Sequence, residues 1–228
     1  MPYPDMIAID GPAAAGKSTV GELLAAELNY LYFDTGVMYR AVTWAAIERQ
    51  VPIEDEAAVS RLAREVRIDV SQPTRQDGRQ YTVCIDGRDV TWDLRRPEVD
   101  YGVSPVSTYP GVRSALTAQQ RRIGLRGKVV MVGRDIGTVV LPEASLKIYL
   151  DATVEARARR RYLENRQRGQ KARYVDILRA MRRRDQIDSH RETAPLCPAA
   201  DAVIIDTTDL QVAQVMARVC ELMQRQDP

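Results

Sequence analysis

A chain of 228 residues that is 45% hydrophobic and 28% charged can bury a sizeable core and is too apolar for a disordered segment. No apolar run approaches the roughly 18–20 residues that a membrane span needs, and the first ten residues, "MPYPDMIAID", lack the basic-then-apolar pattern of an export signal. The net charge of +2 hides an asymmetry: residues 157–191 carry twelve Arg and one Lys against four acids, a balance of +9, which leaves −7 for the rest. Cys84, Cys197 and Cys220 are odd in number and far apart, which predicts free thiols in a reduced, cytoplasmic protein.

In chain order, "MIAID" (6–10) is a short apolar run stopped by Gly-Pro, the mark of a buried strand. "STVGELLAAEL" (18–28) has helical apolar spacing and good helix formers. "LYF" (31–33) predicts a second strand, and "VMYRAVTWAAIERQ" a second helix. This alternation argues for a parallel sheet with helices on its faces, an α/β fold. Between about 66 and 92 the texture changes to "VRIDV", "YTVCI" and "RDVTW", separated by "QDGR" and "IDGR". Asp-Gly favours tight hairpins, so a small antiparallel insert is expected there. A helical stretch follows at 110–125, then strands "KVVMV" (128–132) and "LKIYL" (146–150). Two basic helical segments cover roughly 154–168 and 173–190, and "ADAVIID" (200–206) and a helix over 209–225 close the chain.

The strongest chemical signal is "GPAAAGKS", from Gly11 through Pro12, Ala13, Ala14, Ala15, Gly16 and Lys17 to Ser18, with Thr19 next. It fits G-x-x-x-x-G-K-[ST] between a strand and a helix, the setting in which backbone N–H groups and a helix N-terminus hold a nucleotide's phosphates. Lys17 would neutralise the β- and γ-phosphates of ATP, and Ser18 would ligate Mg²⁺. No D-x-x-G and no N-K-x-D occurs, so the marks of a guanine-nucleotide switch are missing and a small phosphotransferase is the leading class. At the end of the second strand, "DTGVMYR" offers Asp34 as a carboxylate near the metal, Thr35 as a hydroxyl and Arg40 as a planar fork for a phosphate. "GRD" occurs twice. Gly87-Arg88-Asp89 sits in a hairpin turn and is given no site role, whereas Gly133-Arg134-Asp135 follows a buried strand and lies on the ligand edge.

In "RRRDQIDSHR", Arg184, Asp188 and Arg191 are spaced i, i+4, i+7 and share one stripe of a helix. Spacing alone leaves a surface ladder and an anion site equally open. Arg157, Arg161 and Arg168 mark one side of the preceding helix, with Arg159 and Arg160 beside them. A nucleic-acid arm is disfavoured by acids inside the run and the lack of interleaved aromatics.

Together "GPAAAGKST", "DTGVMYR", "VGRDIGTVVLP" and "RRRDQIDSHR" resemble, in order and spacing, bacterial cytidylate kinases, over nearly the whole chain. The resemblance implies a nucleoside monophosphate kinase fold, a P-loop protein that moves the γ-phosphoryl group of MgATP to CMP or dCMP. It implies core segments at 1–34, 126–152 and 173–228, a monophosphate-binding region at 35–125 and a helical lid at 153–172. By the same resemblance Thr35, Arg40 and Arg134 hold the acceptor phosphate. Ser104, Arg113, Asp135 and Arg191 read the cytosine, and Arg184 and Asp188 contact the sugar. Arg157, Arg160 and Arg161 are the lid arginines, and Ser18 and Asp34 the metal side. Neither nucleic acid nor membrane is an expected partner, and a monomer is expected. The family usually has an acid before "GRD", where this chain has Val132, so altered metal dependence is an expectation. Thr207 and Thr208 are candidates to face the adenine. The rivals are a kinase acting on UMP, AMP or a non-nucleotide hydroxyl, and a regulator that grips RNA.

Overall fold

Short runs rich in Val, Ile and Leu, such as "VVMV" and "LKIYL", suit strands covered on both faces. In the computed structural model, which describes residues 3–191 and 193–225, they do form such a sheet. The chain runs β1 (Met6–Asp10), α1 (Lys17–Leu28), β2 (Leu31–Asp34), α2 (Gly36–Glu48) and α3 (Glu56–Glu65). The insert strands β3 (Ile68–Ser71), β4 (Thr82–Ile85) and β5 (Arg88–Asp89) follow, then α4 (Pro97–Val106) and α5 (Pro110–Gly124). It returns through β6 (Val129–Val132), β7 (Leu146–Asp151), α6 (Val154–Gln167), α7 (Tyr174–His190), β8 (Val203–Asp206) and α8 (Val212–Arg225). The main sheet has the order β2-β6-β1-β7-β8, parallel at every pairing.

The two-residue period of a strand divides the core into two layers. Ile7, Ile9, Val130 and Val132 face one side, under Val20 and Leu24 of α1 and Val215 and Val219 of α8. Ala8, Phe33, Val129 and Met131 face the other, against Met38 and Val42 of α2 and Leu116 and Ile123 of α5. Burying a side chain such as Phe33, the only phenylalanine, stabilises the fold by about 1.5–3 kcal/mol.

Helices α3 and α4 were not among the elements expected from the sequence. Helix α3 begins at an Asp55 cap, whose carboxylate accepts the Ala58 N–H at 2.9 Å, and buries Val59, Leu62 and Ala63. Helix α4 opens with Pro97, carries Glu98 and Asp100 in its first turn, and buries Val99 and Val106.

The antiparallel insert is present, with its strands in the order β3-β4-β5. Asp86 (φ 50°) and Gly87 (φ 85°) make the tight β4–β5 turn, both in the left-handed region that such turns require. "QDGR" does not make a tight hairpin; residues 72–81 form a longer loop between β3 and β4. The cause is ionic. Arg79 is buried and donates to Asp77 at 2.8 and 2.7 Å and to Asp89 at 2.7 Å, while Asp77 also accepts Trp92 Nε1–H at 2.9 Å. The same loop brings Tyr81 onto Tyr32 of β2, ring centroids 5.9 Å apart, which joins the insert to the main core. The three cysteines are unpaired, and among the described residues no helix is long and apolar enough to cross a membrane.

Candidate active site

Parallel pairing brings the carboxyl ends of β1, β2 and β6 to one edge of the sheet, so Gly11, Asp34 and Gly133 start their loops side by side. That edge is where open α/β sheets collect ligands. Gly11 has φ 143°, and a Cβ there would fall 2.0 Å from the Leu150 carbonyl oxygen, so only glycine fits. Helix α1 starts behind Gly16 (φ 100°) with no side-chain cap and no acid in its first turn. Its leading N–H groups are therefore available to an anion. Lys17 Nζ donates to the Pro12 carbonyl at 2.7 Å. Burial pulls the Lys17 ammonium down to about 7; the Arg134 and Arg184 cations push the same way, and Asp34 and Asp10 oppose them. Lysine and two arginines from distant segments thus bear on one space, an arrangement that a phosphate would relieve.

Ser18 and Thr19 are exposed in the first turn of α1. Asp34 is half-buried and accepts the Gly36 N–H at 2.9 Å. The Thr35 hydroxyl and N–H both reach the Val132 carbonyl at 3.0 Å, directly beneath the Gly133 loop. The Val132 side chain turns away into the apolar layer under α1; a Cβ on Gly21 would lie 2.6 Å from its Cγ2. Among the described residues no group of three or more His, Cys, Asp or Glu could hold a metal.

Three segments build the facing pocket. Arg113 of α5 donates to Asp135 at 2.8 Å, and Arg191 lies 3.4 Å from the same carboxylate. Arg134 lies 2.6 Å from Asp188, with Arg184 at 3.9 Å and Arg191 at 4.0 Å. Spacing left the α7 stripe open; the structure turns Asp188 and Arg191 inward, 14% and 17% exposed, while Arg184 stays 57% exposed at its rim. The network is not satisfied internally. Arg113 Nε, Arg134 Nε, Asp188 Oδ2 and Arg191 Nη2 are buried without an aligned hydrogen bond among the described residues, the Arg134–Asp188 contact being close but poorly oriented. Buried orphans of this kind are costly alone and suit a polar ligand.

Other expected residues sit at the margins. Arg40 is paired with Asp100 and donates to the Leu94 carbonyl at 3.2 Å, on the α4 side, where Ser104 is exposed one turn beyond Asp100. Arg40 and Asp34 both act on the Tyr81 phenol, which burial and Asp34 push up to about 12. Arg157 is buried: it donates to the Ala152 carbonyl at 2.9 Å and the Ala13 carbonyl at 3.3 Å, and grips Asp185 through both oxygens at 3.0 and 2.6 Å. Arg160 holds Thr207, whose hydroxyl lies 3.1 Å from the Ala15 carbonyl. Arg161 pairs with Glu164 at 2.9 Å and bears on Arg184. Of the three arginines expected to close over the phosphates, two are therefore occupied with backbone and carboxylate at the root of the helix pair.

Two residues were given no role from the sequence. Asp185 anchors Arg157, and Asp10 accepts the N–H groups of Ile136 and Gly137 at 2.9 and 2.7 Å. Burial raises the Asp10 carboxyl to about 6. The available signal was a lone acid at the end of an apolar strand, immediately before the phosphate loop.

Comparison with known proteins agrees with this geometry. The family model described as cytidylate kinase matches residues 7–225. The chain belongs to the cytidylate kinase family. A cytidylate kinase of Chloroflexus aggregans is 53% identical over 219 residues, spanning 96% of this chain and 94% of the relative. That of Roseiflexus castenholzii is 51% identical over 220 residues, spanning 96% and 93%. That of Bacillus velezensis is 46% identical over 220 residues, spanning 96% of each. These relatives match along 93–96% of their length and the family model spans residues 7–225, so the family assignment takes in the insert and the α6–α7 pair as well as the phosphate loop.

Proposed function

We propose that this protein transfers the γ-phosphoryl group of ATP to CMP or dCMP, giving ADP and CDP or dCDP. The observation that carries the reading is the arginine–aspartate pocket, with its unsatisfied buried donors and acceptor, opening beside a complete phosphate loop. Residues Gly11 to Thr19 hold the triphosphate through backbone N–H groups and Lys17. Thr35, Arg40 and Arg134 hold the acceptor phosphate. Arg113, Asp135, Arg191 and Ser104 address the cytosine, where a carboxylate can accept from an exocyclic amine but not from uracil's carbonyl. Arg184 and Asp188 address the sugar.

Phosphoryl transfer asks for alignment and charge neutralisation rather than covalent help. The attacking atom is a phosphate oxygen, ionised at neutral pH because its second pKa is about 6, so no general base is needed. The only histidine, His190, is exposed and engages the Gln186 carbonyl. Lys17, Arg134 and Arg184 face the region where charge develops, and Arg161 is placed to join them as the lid at 153–172 closes. Arg157 and Arg160 secure the root of that lid. The oxygen donors Ser18 and Asp34 fit Mg²⁺, which keeps several waters and binds through one or two carboxylates and substrate phosphates. When bound, the ion would neutralise charge on the β- and γ-oxygens. We further assign the protein to the cytoplasm, as a monomer.

The test is a coupled ADP-release assay with ATP and a panel of CMP, dCMP, UMP and AMP. Turnover with CMP and dCMP well above the others is expected. A strong preference for UMP would overturn the roles of Asp135 and Arg191.

A further inference from the structure

An aspartate at the start of a helical turn ordinarily bends its own carboxylate back onto the first free N–H groups. Asp135 stands at that position, ahead of the turn Ile136–Val140, and makes no such cap. Its carboxylate points outward to Arg113 and Arg191, at 2.8 and 3.4 Å. The N–H groups behind it are buried and cannot be left unmatched without cost. They are matched from across the sheet: Asp10, 4% exposed at the end of β1, accepts Ile136 N–H at 2.9 Å and Gly137 N–H at 2.7 Å. The fit is close, since a Cβ on Gly137 would lie 3.2 Å from Lys147 Cδ and 3.4 Å from Asp10 Oδ2. Lys147 directs its ammonium to Asp201 at 2.7 Å, so the two N–H groups remain the hydrogen-bonding partners of Asp10.

We propose that Asp10 is a positioning residue for base selection: by capping the 136–140 turn in place of Asp135, it leaves the Asp135 carboxylate free to recognise the nucleobase. The inference rests on the reading of Asp135 as the group that meets cytosine. Two carboxylates divide one task, and removing the first gives the second a local reason to leave the pocket. If Asp135 rotated back onto the turn, Arg113 and Arg191 would lose their shared partner and the pocket its acceptor for an amine. Asp10 also leads directly into Gly11, so a residue bordering the donor loop sets the selectivity of the acceptor pocket.

The experiment compares kcat/KM for CMP and for UMP in the parent, Asp10→Asn and Asp135→Asn. Asparagine keeps the volume but offers one acceptor and sets a donor against the other N–H. Asp10→Asn is expected to lower the CMP-over-UMP ratio about tenfold while KM for ATP changes less than about threefold. An equal loss for both acceptors, or an unchanged ratio while Asp135→Asn reduces it, overturns the proposal and leaves the reading of Asp135 standing. An unchanged ratio in Asp135→Asn overturns that reading, and the proposal with it. A second measurement does not depend on Asp10→Asn folding. In Asp135→Asn, the Ile136 and Gly137 amides should stay as protected from hydrogen exchange as in the parent. Loss of their protection would show that Asp135 itself holds the turn, and would overturn the proposal.

Discussion

In the phosphate loop eight consecutive residues, Gly11 to Ser18, make a cradle almost wholly from backbone, and Lys17 is its one charged side chain. In the facing pocket each side chain comes from elsewhere: Arg113 from α5, Arg134 and Asp135 from the loop after β6, Arg184 and Asp188 from α7, and Arg191 just beyond it. The first region is fixed by local chain geometry, with Gly11, Ala14 and Gly16 at positive φ and Ala15 fully buried. The second exists only when distant elements are packed, and several of its buried polar atoms lack an aligned hydrogen bond. Donor binding should therefore fail through one residue, and acceptor binding through any of several.

The largest expected effect breaks the cradle. Lys17→Ala should lower kcat by about 10³-fold or more with little change in thermal stability, measured by steady-state kinetics and melting; near-normal turnover would remove Lys17 from the reaction. Next, Asp188→Ala leaves Arg134, Arg184 and Arg191 facing one another. KM for CMP should rise about 10–100-fold while KM for ATP holds, since hydrogen bonds to charged groups contribute about 1.5–3 kcal/mol. A matching rise in KM for ATP would mean that the pocket is not separate from the cradle.

Arg157 and Arg161 sharpen the contrast within one helix. Arg157→Ala should lower unfolding free energy by about 3 kcal/mol in urea, because Asp185 keeps its charge without a partner. Arg161→Ala should leave stability within about 0.5 kcal/mol, as an exposed pair does, and lower kcat instead. Equal effects on stability would erase the distinction.

On sequence alone these two arginines look alike, four residues apart on one stripe of α6. What separates them is depth at the helix root and an aspartate 28 positions away, neither of which spacing contains. Asp10 was hidden for the same reason, its partners lying 126 and 127 residues on. By contrast the five parallel strands, the β4–β5 turn and the phosphate loop were legible because short-range pattern and turn chemistry determine them. Helix α3 carried a readable signal, an Asp55 cap followed by Val59, Leu62 and Ala63, yet was not among the expected elements. Helix α4 was masked by Pro97 and Pro105 near its two ends. "QDGR" misled because Asp77 serves a buried arginine rather than a hairpin.

The smallest effect is a proton. With the Lys17 ammonium pulled down to about 7 by burial, the empty site is mostly neutral there at pH 8, and a bound polyphosphate restores the charge. ATP binding at pH 8 should take up close to one proton, read by calorimetry in buffers of differing ionisation enthalpy. For folding the sign is fixed: a lysine depressed from 10.5 to about 7 lowers stability fully below pH 7, and that cost fades as pH rises toward 10.5. Asp10 runs the opposite way on the acid side. Raised from 3.8 to about 6, it favours the fold below pH 4, and this contribution is lost as pH climbs through 6.

The most direct test of convergence is a crystal structure with CMP and a non-hydrolysable ATP analogue bound together. The account predicts the CMP phosphate between Arg134 and Arg40 and facing Lys17, with the cytosine amine against Asp135. CMP seated anywhere else, such as on the β3–β5 sheet, would contradict it.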